Sequence, residues 1–410
     1  MKILIANKYL YPKGGSEIYA IQCAKILRNK GHNVFCWGMN HRIQDNSVPQ
    51  EFLVDYIDYE KPAGFKRRIS LASKLLYSFE AKRKIELLIE KEKPDIAHLN
   101  NFAHQISPSI LHALNKHNIP TVMTLHDFKL VCPSYLMLCD SMPCQRCQAG
   151  RYYWCALKKC MKNSCLQSLL NTVEMYLHHK ILKIYDLIDI FISPSMFLKE
   201  KLEEMGFLGE IIYLPNFVDL SKFQPKFTGE QKTIVYFGRL SGEKGLFTLL
   251  SAIKGLDVKL KIIGEGPVRE RLEKKVADEN IDNVIFLGYR TGLDLSDQIT
   301  RASAVVIPSE WYENNPITVI ESFAFGKPVI GARIGGIPEL VQDSKTGLTF
   351  ESGNAQDLRE KIKLITTDSD RLAQMGRNAR AHVEENNNSE NYFQRIIEIY
   401  EKVINNKKPL

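Results

Sequence analysis

The sequence predicts an α/β protein made of two doubly wound domains in series. Short apolar runs alternate with longer stretches of helical periodicity along the whole chain, which is typical of parallel βαβ architecture. The 410 residues exceed one ordinary core and suit two domains of about 200 residues each. Hydrophobic residues make up 44% and charged residues 25% of the chain, a composition typical of a globular protein rather than a disordered or fibrous one.

The first half of the chain contains five apolar runs of strand length. They are Lys2–Asn7, Asn33–Trp37, Asp95–Asn100, Thr121–Leu125 and Ile190–Ser193. The amphipathic stretch Glu17–Lys30 separates the first two and ends before Gly31, a residue type common just after a helix. This βαβ beginning predicts a parallel sheet.

The second half repeats the same organisation. Its predicted strands are Thr233–Gly238, Lys259–Gly264, Val284–Leu287, Ala304–Pro308 and Pro328–Gly331, and its predicted helices include Gly245–Gly255, Val268–Glu279 and Ile317–Phe325. The stretch Leu214–Gln231 is rich in proline and turn-forming residues, so we divide the chain into domains 1–215 and 216–410. We expect the terminal helix to return to the first domain.

Charge is distributed unevenly between the two domains. Residues 1–215 contain 28 Lys and Arg against 20 Asp and Glu, whereas residues 216–410 contain 27 of each. A basic half favours an anionic partner, but no nucleic-acid-binding motif is present and we expect no nucleic acid partner. No run of 18 apolar residues and no signal-peptide pattern occurs, so we expect a cytoplasmic protein.

The loop that follows the first strand of the second domain is suited to binding a phosphate. It reads YFGRLSGEKG over Tyr236–Gly245, and Gly238 allows backbone N–H groups to approach an anion before a helix N-terminus. Arg239 and Lys244 flank the loop and together could neutralise a diphosphate.

Two glutamates mark a second segment, PSEWYENNPITVIESFAFGKPVI. Glu313 lies in a loop after a strand, and Pro316 suits the first turn of the helix that follows. Glu321 lies within that otherwise apolar helix, so its carboxylate needs a polar partner. A ribose diol would suit it. The turn at Gly264 in GEGP lacks the G-x-G-x-x-G spacing, which argues against a dinucleotide oxidoreductase.

The first domain carries two further candidate features. Gly15 follows the first strand and opens the first helix, again at a geometry suited to an anion. The segment TLHDF places His126 at the carboxyl end of a strand, where ligands bind in open α/β sheets.

Five features occur in order along the chain: the glycine pair after the first strand, HDF, FGRL…EKG, GEGP and the two glutamates eight residues apart. Together they resemble the motifs of glycosyltransferase family 4. The resemblance extends along nearly the whole chain. It implies the GT-B fold, in which two Rossmann-like domains face a central cleft, and a retaining transfer of sugar from a nucleotide-sugar donor.

The resemblance also implies roles for individual residues. Arg239 and Lys244 would grip the donor diphosphate, Glu313 would contact the hydroxyls of the transferred sugar, and Glu321 would bind the ribose. His126 would lie near the anomeric centre. The remaining donor-binding positions that we carry over are Gly15, Gly238, Gly264, Tyr289, Asn315, Pro316, Ile317 and Thr318.

The function that we expect is retaining transfer of a sugar from a nucleoside-diphosphate donor, UDP rather than GDP, to a glycan or lipid-linked glycan. No nucleophile is assigned, because similar enzymes are thought to use front-face attack assisted by the leaving phosphate, and no catalytic metal is required. Two alternatives stay open. A nucleotide-sugar epimerase would interconvert UDP-sugars without an acceptor, and a zinc-containing binding protein would bind the nucleotide-sugar without turnover.

Seven of the nine cysteines lie within residues 132–165, which we interpret as an insertion in the first domain. The C-x2-C pair Cys144 and Cys147, completed by Cys139 and Cys155, would supply four thiolates to a structural zinc ion. Reduced thiols and disulfides remain open alternatives.

The segment Phe65–Lys93 has nine basic and four acidic residues. Its apolar residues recur at roughly helical spacing, which is typical of a basic amphipathic helix on an anionic membrane surface. An ordinary packed helix fits the pattern as well. We expect peripheral association with the inner face of the cell membrane.

Overall fold

The computed structural model describes residues 1–42, 45, 47–59 and 64–407. These residues form two α/β domains, each built on a parallel sheet of six strands with its own apolar core. No helix in this described part of the chain has both the length and the hydropathy that crossing a bilayer requires.

The first domain contains a six-stranded sheet and a small separate hairpin. Its elements are β1 (Lys2–Ala6), α1 (Gly15–Asn29), β2 (Asn33–Trp37), α2 (Phe65–Leu76), α3 (Phe79–Glu92), β3 (Ile96–Leu99), α4 (Ile110–Lys116), β4 (Thr121–Thr124), β5 (Leu138–Cys139), β6 (Met142–Pro143), α5 (Tyr153–Leu157), α6 (Cys165–Tyr176), β7 (Ile190–Ser193), α7 (Met196–Glu204) and β8 (Ile211–Tyr213). The sheet order is β2-β1-β3-β4-β7-β8, and β5 pairs only with β6. The strand order reverses direction between β1 and β3, the position where doubly wound sheets open a crevice.

The second domain repeats this topology. Its elements are β9 (Thr233–Phe237), α8 (Leu246–Ile253), β10 (Lys259–Ile263), α9 (Arg269–Asp278), β11 (Val284–Gly288), α10 (Gly292–Arg301), β12 (Ala304–Ile307), α11 (Ile317–Ala324), β13 (Val329–Ala332), α12 (Ile337–Leu340), β14 (Gly347–Phe350), α13 (Ala355–Thr367), α14 (Ser369–Asn386) and α15 (Ser389–Lys407). The sheet order is β11-β10-β9-β12-β13-β14. Here the strand order reverses between β9 and β12.

All ten predicted strands are present, each within one residue of its predicted ends. Two further edge strands, β8 and β14, were not predicted. Strand β8 has only three residues, and β14 has the sequence GLTF, in which a glycine and a threonine interrupt the apolar pattern. Neither has the continuous apolar run that identifies a buried parallel strand.

The prediction of one amphipathic helix over Phe65–Lys93 is wrong in one respect, because the segment forms two helices. The chain is extended at Tyr77 and Ser78, and the Ser78 hydroxyl accepts a hydrogen bond from the Ala81 N–H at 3.1 Å. This N-cap begins a new helix. The apolar face of α3 packs into the core through Ala81, Ile85, Leu88 and Ile89, so only α2 lies largely exposed.

The last helix, α15, packs against the first domain although it follows the second. Tyr392, Ile396 and Tyr400 belong to the apolar core of the first domain. The Tyr400 hydroxyl and His98 Nδ1 are hydrogen-bonded at 2.6 Å. Burial lowers the pKa of His98 to about 3, so this imidazole is neutral and the contact involves no buried charge.

The chain crosses between the domains at two adjacent places, before β9 and before α15. Asn387 donates from Nδ2 to the carbonyl oxygen of Asn216 at 2.7 Å, and the Val218 N–H donates to the carbonyl oxygen of Asn387 at 2.9 Å. The two crossings are therefore bonded to each other.

Candidate functional site

The carboxyl ends of the two sheets meet at a cleft between the domains. Asn314, which follows β12, donates from Nδ2 to the carbonyl oxygen of Leu125 at 3.0 Å and accepts from the Ser195 hydroxyl at 2.7 Å. Leu125 and Ser195 follow β4 and β7 of the first domain. Gly15 also lies here, because a Cβ built on it would stand 3.8 Å from Ile317 Cδ1.

Glu313 and Lys244 form a largely buried ion pair at this cleft. Lys244 Nζ lies 2.7 Å from Glu313 Oε1, and the Ser309 hydroxyl donates to the same oxygen at 2.6 Å. Burial opposes ionisation of Glu313, but Lys244 and these hydrogen bonds outweigh burial and hold its pKa below the ordinary value. Lys244 also lies 5.0 Å from the centre of the Trp311 ring. The carboxylate is therefore charged, and its second oxygen is the one that could accept from a ligand.

Arg239 lies on the same loop as Lys244 and is exposed. None of the described residues pairs with its guanidinium, whereas its backbone carbonyl accepts a hydrogen bond from the Tyr236 hydroxyl at 2.8 Å. The loop is thus fixed through its backbone, and the cationic side chain remains available to an anion.

Glycines allow the loops after β9 and β10 to stack with direct backbone contact. Gly264 has φ +140°, and a Cβ on it would collide with the carbonyl oxygen of Gly238. The Gly264 N–H donates to the carbonyl oxygen of Gly288 at 2.9 Å, which brings the loop after β11 alongside. Tyr289 on that third loop is exposed, so its ring is available as a flat surface beside the two glycine loops.

The N-terminus of α11 points its first backbone N–H groups at the cleft. Pro316 lies one position before the first helical residue, not within the first turn as predicted. Ile317 and Thr318 form that first turn, and the early N–H groups of a helix lack acceptors within it. Asn315 is buried and accepts at Oδ1 from the Asn216 N–H at 3.1 Å, which fixes the approach to the helix.

Glu321 lies one turn further along α11. It is half-buried, and burial raises its pKa to about 7. No described residue forms a hydrogen bond or ion pair with its carboxyl group. A carboxyl group in this environment is a suitable partner for a ligand that brings its own hydroxyl donors.

His126 lies at the end of β4, on the first-domain side of the cleft. Its Nε2 lies 2.9 Å from Asn100 Oδ1, so Nε2 carries the proton and donates. Burial, with the nearby His98 and Lys8, lowers the pKa of His126 to about 3. The imidazole is therefore a neutral hydrogen-bonding group rather than a cation.

Sequence reasoning missed several residues that hold this site together. Ser309 lies two residues after the end of β12, and its position near a strand end was the available signal. The segment GARIGG at Gly331–Gly336 does not have the dinucleotide-binding spacing G-x-G-x-x-G and was not selected. Its Gly336 N–H nevertheless donates to the carbonyl oxygen of Glu313 at 2.8 Å. A Cβ on Gly335 or Gly336 would collide with the backbone of Glu313 or Asn314. These glycines let the two loops pack against each other.

All nine cysteines are free thiols, and the predicted zinc ligands lie in one region of the first domain. Burial and the neighbouring Cys160 thiol raise the pKa of Cys139 to about 12, and the thiols of Cys160 and Cys155 are hydrogen-bonded to each other. Within the described ranges, the one group that offers three ligand atoms within 4.8 Å of one another is Glu86, Glu90 and His117. The zinc site on Cys139, Cys144, Cys147 and Cys155 stays a prediction.

Comparisons with protein families match both domains. The family described as Glycosyltransferase Family 4 matches residues 13–222, and the family described as Glycosyl transferases group 1 matches residues 218–382. The first match covers half of the chain, and the boundary between the two falls just after β8. Together they extend from α1 to α14.

Individual relatives cover nearly the whole chain. An uncharacterized glycosyltransferase of Methanocaldococcus jannaschii is 25% identical over 383 residues, which is 93% of this chain and 92% of that protein. Sucrose-phosphate synthase of Thermosynechococcus elongatus superposes with a TM-score of 0.74 at 20% identity over 98% of both chains. HepE of Anabaena in complex with UDP-glucose superposes with a TM-score of 0.68 at 18% identity, over 98% of this chain and 100% of that one.

Proposed function

Because this chain belongs to glycosyltransferase family 4 and has the GT-B fold, we propose that it transfers a sugar with retention from a nucleoside-diphosphate donor to a glycan or lipid-linked glycan. The observation that carries the proposal is the pair of cations, Arg239 and Lys244, placed with Glu313 beside the N-terminus of α11. The solved complex of HepE with UDP-glucose supports UDP over GDP as the donor nucleotide.

In the proposed reaction, the cations stabilise the leaving diphosphate. Negative charge grows on that group as the bond between the anomeric carbon and the diphosphate oxygen breaks, and Arg239, Lys244 and the α11 N–H groups favour it electrostatically. The acceptor hydroxyl adds to the same face of the sugar, and its proton passes to the leaving diphosphate. These cations neutralise the charge of the leaving diphosphate, which a divalent metal ion would otherwise neutralise, so the proposal requires no catalytic metal.

Glu313 and His126 position the sugar in this proposal. The charged Glu313 carboxylate accepts hydrogen bonds from sugar hydroxyls, and its charge also favours the positive character that develops at the anomeric carbon. The neutral His126 hydrogen-bonds near the anomeric centre from the other side of the cleft. We assign neither residue as a nucleophile.

Binding of nucleotides to the purified full chain tests the donor assignment. A ligand that binds the folded protein alone stabilises it by about 2.7 kcal/mol at one hundred times its Kd. We expect UDP to raise the melting temperature clearly more than GDP or ADP at equal concentration. A larger response to GDP would overturn the donor nucleotide, and interconversion of UDP-sugars without an acceptor would identify an epimerase.

The affinity for UDP-glucose is expected to depend on pH through Glu321. Its pKa of about 7 lies above the ordinary value for glutamate, so in the free protein this group makes stability fall as pH rises from about 4.5 through 7. A ribose diol donates best to the ionised form. The Kd should therefore increase about tenfold between pH 8 and pH 6, with proton release on binding.

Calorimetry in buffers of different ionisation enthalpy measures both the Kd for UDP-glucose and the number of protons released on binding. UDP-glucose is the suitable ligand because its phosphates do not titrate in this range. The variant Glu321→Gln should bind more weakly and show a flat pH profile. A pH profile in the variant as steep as in the wild type would show that another group is responsible.

The proposal also includes the cellular location at which the protein binds its acceptor. A lipid-linked acceptor lies at a membrane, and the excess of basic residues in 1–215 suits an anionic lipid surface. We therefore propose that the protein works as a peripheral protein at the inner face of the cell membrane.

A further inference from the structure

Helix α6 has its polar and apolar faces reversed relative to an ordinary surface helix. Four of its five buried residues are polar: Ser168, Asn171, Thr172 and Glu174. Leu166, Leu169 and Val173 lie on the opposite side and are 72%, 52% and 46% exposed. We call these three residues the α6 apolar face. Their spacing of three and then four residues places them in one stripe along the helix.

Specific hydrogen bonds and an ion pair hold the buried polar face, so α6 packs in one orientation about its own axis. The Ser168 hydroxyl accepts from the Met161 N–H at 3.0 Å, and the Thr172 hydroxyl donates to the carbonyl oxygen of Tyr152 at 3.3 Å. Glu174 is fully buried and lies 2.5 Å from Lys129 Nζ. Turning the helix over would leave these groups unpaired away from water, which is strongly unfavourable. The apolar face therefore stays exposed.

Exposed apolar residues also occur on the two helices that pack against α6. Leu157 on α5 is 65% exposed and Ile69 on α2 is 56% exposed. Monomeric globular proteins rarely expose large side chains contiguously without a binding role. Helix α6 and the two helices that pack against it thus each present large apolar side chains to solvent.

Basic residues predominate in the segments that carry these exposed apolar side chains. Residues 146–183 contain seven Lys and Arg and a single acidic residue, Glu174, and Glu174 is buried with Lys129. Residues 65–76, the whole of α2, contain four basic residues and no acidic one. Arg67, Arg68 and Lys158 are all exposed. Apolar side chains among exposed cations are the composition that anionic bilayers attract.

Helix α6 is connected through its buried face to loops at the first-domain side of the cleft. Glu174 on the buried face of α6 contacts Lys129, which follows β4, and lies 3.4 Å from Nε2 of His104, which follows β3. Both loops leave the carboxyl edge of the sheet, where His126 also lies. The buried face of α6 therefore contacts two loops that leave this edge of the sheet.

We propose that the α6 apolar face inserts into the surface of an anionic lipid bilayer, with the basic residues of α2 and of 146–183 contacting the headgroups. This inference rests on the proposed function and deepens it, because it names the surface that would bring a lipid-linked acceptor to the cleft. It also relocates the membrane contact, since α3, which the sequence suggested, packs its apolar face into the core. The experiments below also show whether a protein partner or a second copy of the chain occupies this face instead.

Cosedimentation of the full chain with vesicles tests the proposal. Vesicles of phosphatidylcholine with about 30% phosphatidylglycerol should bind the wild type at least about tenfold more strongly than phosphatidylcholine alone, and added salt should weaken this binding. The triple variant Leu166→Gln, Leu169→Gln, Val173→Gln should lose at least about tenfold in binding to the anionic vesicles. The three positions are exposed, so glutamine is compatible with the fold.

Two controls separate this inference from the donor site. Leu293→Gln makes the same change at a leucine that is 90% exposed on α10 of the second domain, and it should bind vesicles like the wild type. Stabilisation by UDP should be equal in the wild type and the triple variant. Loss of the UDP response in every protein would contradict the donor proposal and leave the vesicle result to be judged by itself.

Three outcomes would overturn the membrane assignment. They are a wild type that does not bind anionic vesicles, a triple variant that binds them undiminished, and light scattering that shows a wild-type dimer which the triple variant converts to a monomer. The last outcome would identify a second copy of the chain as the occupant.

Discussion

Replacing Glu313 with glutamine is expected to lower the rate of sugar transfer at least about 100-fold, the usual loss when one preorganised polar contact to the reacting centre is removed. The amide preserves the size of the side chain but removes the charge that faces Lys244 at 2.7 Å. Since Lys244 stays in place to hold the diphosphate, the Kd for UDP should change by less than about threefold. The effect should therefore fall on kcat, measured with saturating donor.

The matched control is Glu310→Gln, three residues earlier in the same loop. Glu310 is half-buried and accepts a hydrogen bond from the Thr248 hydroxyl, so the change is chemically the same at a carboxylate that is not paired with Lys244. Activity close to the wild type is expected. Full transfer activity in Glu313→Gln would remove the assigned role, and equal losses in both variants would point to a general disturbance of the loop.

Removing both cations of the diphosphate site should weaken nucleotide binding more than any other double substitution in the second domain. Each charge-assisted hydrogen bond contributes about 1.5–3 kcal/mol, so Arg239→Ala with Lys244→Ala should raise the Kd for UDP about 100-fold or more. The variant also leaves Glu313 buried without its cation, which favours protonation of that carboxylate. Titration with UDP at fixed pH and low salt measures the change.

The control for this variant removes two other lysines from the same domain. Lys232 and Lys254 are exposed and pair with Asp257 and Glu279, away from the loops of the cleft. Lys232→Ala with Lys254→Ala changes the net charge equally and should leave the Kd for UDP within about twofold, because exposed ion pairs contribute little. An unchanged Kd in the double variant of Arg239 and Lys244 would show that the diphosphate binds elsewhere.

Much of the fold could be predicted because buried parallel strands are continuous apolar runs. The strands around Val235 and Val306 have such runs, whereas β14, which begins with Gly347, does not. The helix break at Ser78 was missed because the apolar spacing of Phe65–Lys93 continues across it. The hydrophobic periodicity located helices such as α1 and α9, but it could not show that α6 buries Glu174 and exposes Leu169. That reversal depends on Lys129, which lies 45 residues away.

The candidate site could be predicted only as separate pieces. Lys244 and Glu313 were selected from their own loops and from a family resemblance, yet they are 69 residues apart and nothing in the local sequence states that they form an ion pair. Ser309 and Asn314 were missed for the same reason. Their partners are supplied by packing between loops and between domains, and spacing along the chain carries no information about such contacts.

The return of α15 to the first domain makes the connection between the domains a two-stranded hinge. One strand precedes β9 and the other precedes α15, and Asn216 and Asn387 bond them together. Two adjacent covalent links constrain the relative motion of the two domains more than a single linker would. The first domain is also discontinuous in sequence. A fragment that stops at residue 215 would lack Tyr392, Ile396 and Tyr400, and would expose the apolar strip that they cover.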